Sequence, residues 1–330
     1  MLKEAEKSVS TKDKVTFVAI ACCTFQRQAF LERTLMNLAN LEIPENIRVE
    51  VVVVDNDKDA SAKNVVDKLT SAEAGFPFKI NYFVEEKRGL SNARNKLLSE
   101  IVNLGASHVA IFDDDGLVDS KWLWNHISLY NENPNGKIIS GPEFAYFDGE
   151  FPSFLENNNI FVHSTTKKKG EVRNTCASNN SFFPVSIVSR DNIWFDPEFV
   201  FMGGEDGDFF SRASKAGYEI VFNPDAIVRE IADKSRVNLK WILHRSWYNG
   251  YSGSYLKFKK NDKPFRRMFY ILKMFIVVLF DVVLLPLTVI GGLTIFFNTA
   301  GLLCKNFGKL LGAILLKPVD YYRQLNGGIK

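Results

Sequence analysis

The stretch His108-Val109-Ala110-Ile111-Phe112-Asp113-Asp114-Asp115 decides how this chain is read. Residues suited to a buried strand run straight into three consecutive carboxylates. Like charges crowded at the end of a buried strand repel one another unless a cation or a polar ligand shares the site. The arrangement therefore predicts a divalent metal ion held at the carboxyl end of a strand.

Outward from this stretch, two periodicities alternate. Residues 15–23 and 49–54 are continuous β-branched or apolar runs of the kind buried in a parallel sheet. Between them Phe30, Leu31, Leu35 and Leu38 recur at helical spacing. Residues 79–84 and 109–112 are further strand candidates, with helical patterns near 60–69 and 92–102. Strand, helix, strand, helix predicts an α/β fold of βαβ units with right-handed crossovers and both sheet faces covered. Ligands of such sheets bind at the strands' carboxyl ends, near a topological switch point. Thr24, Asp55 and Asp113 each stand immediately after a strand candidate, so three polar groups are expected on one rim.

Residues 131–174, rich in Asn, Gly, Pro, Phe and Lys, read as irregular or short-stranded. A strand is expected over 178–183, then the acidic stretch Gly203-Gly204-Glu205-Asp206-Gly207-Asp208 and an amphipathic helix over 209–216. Glycines before an acidic pair let the backbone turn tightly and bring carboxylates close to a ligand, which marks a second half of the site.

From residue 257 the composition changes. Residues 257–267 are basic, and the 36 residues 268–303 carry only Lys273 and Asp281 as charges. One spanning helix needs about 20 apolar residues, so the run is long for one span and short for two. Pro286 and Gly291-Gly292 mark a break between two arms, and Lys305, Lys309, Lys317 and Arg323 follow. Basic flanks on both sides favour a hairpin, or a pair of interfacial helices on anionic lipid, with both flanks at the cytoplasmic face. The bland alternative is a buried helical hairpin in a soluble domain. The organisation expected is a tail over 1–14, a catalytic domain over 15–256 and a membrane-associated helical region over 257–330.

Composition sets outer limits. With 330 residues and 46% of them hydrophobic, the chain has ample material for a packed core and is not disordered. A net charge of +3, with no basic groove-lining run before residue 250, gives no support to nucleic-acid binding. Cys22, Cys23, Cys176 and Cys304 lack the spacing of a zinc or redox pair and read as reduced thiols. Residues 1–14 are charged and lack an apolar segment of the secretory type, so the folded part is expected in the cytoplasm.

Five motifs stand in order: Thr24-Phe25-Gln26-Arg27 after an apolar strand, Asp55-Asn56, Gly89-Leu90-Ser91-Asn92-Ala93-Arg94-Asn95, Asp113-Asp114-Asp115, and Gly203-Gly204-Glu205-Asp206. Together they resemble the family-2 inverting glycosyltransferases of the GT-A fold, over about residues 15–254. The resemblance implies a Rossmann-like, mostly parallel nucleotide-diphospho-sugar transferase sheet with the hydrophobic helical hairpin at its C-terminal side. It further implies that Thr24, Phe25 and Arg27 flank the nucleotide, although Gln26 replaces the usual Asn. Asp55 is then the acceptor of a hydrogen bond from the base, commonly uracil, and Arg94 lies near the base or diphosphate. Asp113 and Asp115 become the ligands of Mn²⁺ or Mg²⁺, with Asp114 near the ribose. Asp206 becomes the catalytic base and Glu205 an acceptor contact. Asn180, in Ser178-Asn179-Asn180-Ser181, aligns with a segment close to the diphosphate or acceptor, but Asn179 replaces the family's glycine.

The chemistry agrees with these roles. A divalent ion bridging the phosphates stabilises a nucleotide diphosphate as it leaves, and one or two carboxylates suffice because the substrate supplies further oxygens. A carboxylate within hydrogen-bond reach of an acceptor hydroxyl can take its proton while the oxygen attacks from the face opposite the leaving group. Taken singly, each motif has a plainer reading: an acidic cap before the helix near Asp119, a turn at Asp55-Asn56, a capped helix start at 203–208, or Arg94 paired with Glu86 or Glu100. His244, on a Trp- and Tyr-rich helix, reads as a packing residue rather than a metal ligand. Only the ordered set separates the functional readings from the plain ones.

The processive synthases of the family carry Gln-x-x-Arg-Trp, and the nearest match here, Val237-Asn238-Leu239-Lys240-Trp241, lacks both the glutamine and the arginine. The expected activity is transfer of one sugar, from a UDP-sugar, to a lipid-linked or membrane-proximal glycan. The alternatives are a processive synthase, a non-catalytic nucleotide-binding membrane scaffold, and, more weakly, a phosphohydrolase without an obvious nucleophile.

Overall fold

The computed structural model of the protein describes residues 15–73, 75–132, 137–146, 167–200, 202–231, 238–259 and 263–319. The tail 1–14, residues 147–166 of the irregular region and Arg323 lie outside the described residues. In chain order the elements are β1 (Phe17–Thr24), α1 (Gln28–Leu38), β2 (Arg48–Asp55), α2 (Lys63–Thr70), β3 (Lys79–Val84), α3 (Leu90–Leu104), β4 (His108–Phe112), β5 (Gly116–Val118), α4 (Trp122–Glu132), β6 (Lys137–Ser140), β7 (Glu143–Tyr146), β8 (Val172–Arg173), β9 (Asn180–Pro184), α5 (Ser186–Ser189), α6 (Glu205–Lys215), β10 (Glu219–Phe222), β11 (Val228–Ile231), α7 (Leu239–Lys259), α8 (Pro264–Leu284) and α9 (Leu293–Leu315).

The chain divides into two compact units. One comprises Met1–Glu143, Thr165–Phe195 and Phe209–Glu230; the other comprises Phe144–Ser164, Asp196–Asp208 and Ile231–Lys330. Residue 257 lies inside the single helix α7. Residues 196–208, which carry the glycine-acidic stretch, group with the C-terminal helices.

The first unit is built on an eight-stranded sheet of order β3-β2-β1-β4-β9-β6-β10-β8. β1 pairs in parallel with β2 and with β4, and β2 with β3. β9 runs antiparallel to both β4 and β6. The chain moves outward from β1 to β2 and β3, then returns to place β4 on the other side of β1. This reversal is the topological switch point of open α/β sheets, where ligands bind. The β1–β2 register sets Thr24 opposite Asp55 at the carboxyl ends.

Alternation along the strands fills both faces of this sheet. Val18, Ile20, Cys22, Val51 and Val53 pack with Leu31, Leu35 and Leu38 of α1 on one face. Ala19, Ala21, Val52 and Val54 pack with Leu97, Leu98 and Ile101 of α3 and with Phe209 and Phe210 on the other. A small second sheet pairs β5 antiparallel with β11, Glu230 opposite Gly116.

In the second unit, α8 continues as a 3₁₀ segment, Leu285–Gly291, and the chain reverses at Gly292, which has φ +95°. The break thus falls at the glycine pair, and Pro286 only tightens the helix before it. Asp281 on α8 and Asn306 on α9 both lie about 20 Å from that turn by helical rise, and they meet there in a 2.8 Å hydrogen bond. Lys309 donates to Asn306 at 3.0 Å. α9 packs on α7 almost backbone to backbone: a Cβ on Gly308 would lie 1.9 Å from the Trp247 carbonyl oxygen, and one on Gly250 1.9 Å from that of Lys305. Small residues at such contacts are the usual means of joining helices where water does not drive association.

The span Pro264–Gly291 contains an 18-residue window of mean hydropathy 2.6, only 11% of it buried, so it is long and apolar enough to cross a membrane. Phe265, Phe269, Val283 and Ile290 are among its exposed side chains. A core helix of a soluble protein hides such residues, and these are not covered within the described chain.

Candidate active site

The carboxyl ends of β1 and β4 carry an interlocked set of charges. Thr24, the last residue of β1, donates to Asp114 Oδ2 at 2.7 Å. Arg27, at the start of α1, reaches Asp114 Oδ1 at 2.6 Å with Nη1 and Asp115 Oδ2 at 2.5 Å with Nη2, and lies over the Phe30 ring. Thr34 of α1 donates to the carbonyls of Asp114 and Gly116. The turn that follows needs Gly116, because a Cβ there would come within 3.0 Å of the Phe112 ring.

Asp113 differs from its neighbours. Its side chain is 46% exposed, and the buried Arg94 lies 3.5 Å from it. Arg94 is delivered by α3, whose preceding loop is organised by Asn56: its amide donates to the carbonyls of Glu85 and Lys87, and its oxygen accepts the Gly89 N–H. Gly89 has φ +122°, a conformation few other residues adopt. The Gly-x-x-x-Ala-Arg pattern thus sets the helix start that carries the arginine.

Desolvation pushes the Asp113 carboxyl up to about 6, against the pull of Arg94 and with the push of Asp115 and Glu230. Desolvation likewise pushes Asp114 up to about 7, with Arg27 opposing and Asp115 adding. The site carries more negative charge than its two arginines relieve.

Several expected roles are redirected. Asp114, expected beside the ribose, is turned inward, and Thr24 and Arg27 occupy both its oxygens. Asp115 is 2% exposed and held by Arg27. Asp55 is fully buried and accepts from Tyr82 OH and Ala62 N–H at 2.7 Å and from Asp57 N–H at 3.1 Å. Phe25 is partly exposed, with the Arg88 guanidinium 4.2 Å over its ring. Gln26 has φ +53°, a position that favours Asn over longer side chains, which accounts for the usual family residue there.

Asn180 is a structural hub whose side chain is bonded within the fold. Its oxygen is bonded by Trp122 Nε1 and His126 Nε2, both at 3.0 Å, and its amide donates to the carbonyls of Pro142 and Ala226. An Asn has no further strong donor or acceptor position to offer. A Cβ on Gly141 would collide with this amide at 2.3 Å.

Sequence reasoning missed Glu143 and Glu230. The two carboxyls are hydrogen-bonded to each other, Asn179 donates to Glu143, and both lie within electrostatic reach of Asp113. They arrive on β7 and β11, and only the pairing of distant strands reveals them. Among the described residues no three His, Cys, Asp or Glu side chains are already gathered at metal-binding distance.

In the second unit, Gly203 and Gly204 have φ of +72° and +86° and lead into α6, whose first turn holds Glu205, Asp206 and Asp208. Glu205 and Asp208 are buried; Asp206 is the partly exposed member, accepting the Gly207 N–H at 2.7 Å. His244 stacks on Trp247, as a packing residue does.

Comparison with known proteins follows the same lines. Residues 19–190 match the family model described as Glycosyl transferase family 2, and residues 108–315 match that of Glycosyl transferase family group 2. The succinoglycan biosynthesis protein ExoM of Rhizobium meliloti (strain 1021) is 31% identical over 235 residues, 71% of this chain and 72% of that protein. The glucosyl-dolichyl phosphate glucuronosyltransferase of Haloferax volcanii is 24% identical over 260 residues, 71% of this chain and 75% of that one. Among solved structures, S. aureus TarS 1–349 in complex with UDP superposes with a TM-score of 0.52 at 16% identity, over 70% of this chain and 65% of that one. Mannosyltransferase PcManGT from Pyrobaculum calidifontis, in complex with GDP-Man and Mn²⁺, superposes with 0.53 at 19% identity, over 70% and 61%. These likenesses establish the GT-A fold.

Proposed function

Because this chain belongs to Glycosyl transferase family 2 and is a glycosyltransferase of polysaccharide biosynthesis, we propose an inverting, metal-dependent transfer of one sugar from a nucleotide-sugar, a UDP-sugar, to a lipid-linked or membrane-proximal glycan. The observation that carries the reading is the switch-point rim, where Thr24, Arg27, Arg94 and three aspartates sit at the ends of β1 and β4. Nucleotides bind open α/β sheets at such a rim.

The residues fit a hard divalent cation. Asp113 and Asp115 are oxygen donors, Glu230 and Glu143 add carboxylates within electrostatic reach of Asp113, and three aspartates beside two arginines leave a negative charge that a cation relieves. Such an ion, Mn²⁺ or Mg²⁺, supplies charge neutralisation for the departing diphosphate. Arg94, buried and aimed at Asp113, orients that carboxylate and adds a positive charge where the phosphates are expected. Arg27 and Thr24 keep Asp114 in place, and Asp55, steadied by Tyr82, closes the base-proximal side.

Asp206 is assigned as the base: of the three acidic residues in its turn it is the accessible one. It takes the acceptor hydroxyl proton as the oxygen attacks the anomeric carbon, and displacement from the opposite face inverts the configuration. The exposed apolar hairpin supports a membrane-proximal acceptor at the cytoplasmic leaflet, and one relative's name includes a dolichyl phosphate. Residues 237–241 lack the glutamine and arginine of the processive synthases, which favours single addition over processive synthesis. The test is a product assay with UDP-sugars and Mn²⁺: Asp113→Ala and Asp206→Asn are each expected to abolish transfer, and full activity in either removes that residue's role. Nucleotide binding without turnover by the wild type supports the scaffold instead.

A further inference from the structure

Two successive left-handed glycines cannot hold an acidic turn by themselves. Gly203 N–H donates to the Phe199 carbonyl at 3.3 Å, so the acidic turn follows directly on residues 196–199, which the second unit fixes from one face of α7. Tyr248, Tyr251 and Tyr255 recur at helical spacing there and enclose Phe199 and Met202, both fully buried. Tyr255 OH and Lys259 Nζ both donate to the carboxylate of Glu198. Lys259 also lies 3.6 Å from Asp196 and 4.7 Å from the centre of the Phe199 ring. Asp196 in turn accepts the Glu198 N–H at 2.9 Å, closing a short 3₁₀ turn, Pro197–Phe199.

The clamp bears on the acidic turn at two points. Leu256 Cδ1 lies 3.0 Å from where a Cβ on Gly204 would stand, so the glycine backbone rests directly on α7. Glu198 is also within electrostatic reach of Asp208, one residue past Gly207. The same helix is joined by Gly250 to the backbone of α9, and Tyr251 OH donates to the Lys317 carbonyl at 2.8 Å. The segment bearing the accessible aspartate therefore rests on α7, which in turn packs on α9 of the apolar hairpin.

We propose that Glu198, Tyr255 and Lys259 are positioning residues that hold Asp206 in its working direction, so that the helical unit carries the base. This rests on the assignment of Asp206 made above. Lost positioning of about 1 Å costs on the order of 10²-fold in rate, whereas a hydrogen bond that merely packs a loop costs stability alone.

The experiment uses the full-length protein in detergent and compares Tyr255→Phe, Glu198→Gln, Lys259→Met and Lys259→Arg with Asp206→Asn. Turnover, KM for each substrate, UDP affinity by calorimetry with Mn²⁺, and melting temperature are measured for each. Tyr255→Phe, Glu198→Gln and Lys259→Met are expected to lose about 10- to 100-fold in kcat, with UDP affinity within about twofold and melting near the wild type, and Lys259→Arg to recover most of the turnover. Wild-type kcat in Tyr255→Phe and Glu198→Gln, beside an inactive Asp206→Asn, overturns the clamp alone. A fall in kcat that only tracks lost UDP affinity or lost melting temperature overturns it as well. A fully active Asp206→Asn removes the base assignment and the clamp's role with it.

Discussion

Replacing Arg27 by Met should destabilise the protein by an amount that depends on pH. Arg27 bridges two buried carboxylates, Asp114 at 2.6 Å and Asp115 at 2.5 Å, with side-chain exposures of 5% and 2%. Removing one partner from a fully buried pair costs about 3–5 kcal/mol, and because Arg27 is itself 27% exposed solvent screening lowers this to about 2–3 kcal/mol. The sign with pH follows from Asp114. Its carboxyl is raised to about 7 in the folded protein, from an ordinary value of 3.8. At pH 5.5 it is largely protonated and Arg27 does little for it; at pH 8.5 it is ionised and depends on Arg27. The loss should therefore be largest at pH 8.5, about 5 °C in melting temperature, and clearly smaller at pH 5.5. Mn²⁺ should recover more of it in the variant than it adds to the wild type, because it replaces the missing positive charge. The assay is a thermal melt at both pH values with and without Mn²⁺. An equal loss at both, untouched by Mn²⁺, refutes the reasoning.

Three further outcomes are expected. Without metal, the wild type should lose stability as pH rises from about 4 to about 7, because the unfolded chain releases the protons of Asp113 and Asp114 near 3.8 while the folded chain holds them to about 6 and about 7; Mn²⁺ affinity by calorimetry should strengthen across the same window. Asn180→Ala strands Trp122 Nε1 and the carbonyls of Pro142 and Ala226, so it should cost about 2–4 kcal/mol in denaturant unfolding yet leave UDP affinity within about twofold once folded. Ile290→Trp, at the exposed end of the α8 extension, should shift its fluorescence to the blue on adding anionic vesicles, and an unshifted spectrum counts against insertion of the hairpin.

Much of the sheet was legible because parallel strands buried on both faces read as unbroken apolar runs, and residues 49–54 differ little from β2. The three aspartates stood out because like charges crowd at the end of β4, and Arg27 supplies a counter-charge to two of them. Their separate roles were not legible, since which carboxylate faces solvent depends on Arg27 folding back from α1, 87 residues away in sequence from Asp114. Asn180 sat in a recognised motif, but its four partners come from α4 and from two loops that no local pattern joins. Glu143 and Glu230 were invisible for the same reason. The grouping of residues 196–208 with the C-terminal helices followed from tyrosines on α7 that look, in sequence, like any amphipathic aromatic stripe.

The account stands most directly on the product. An NMR measurement of the sugar transferred from an α-linked UDP-sugar, with Mn²⁺ and a lipid-linked acceptor, should show a single added residue in the β configuration. An α-linked product, or a ladder of successive additions, contradicts it.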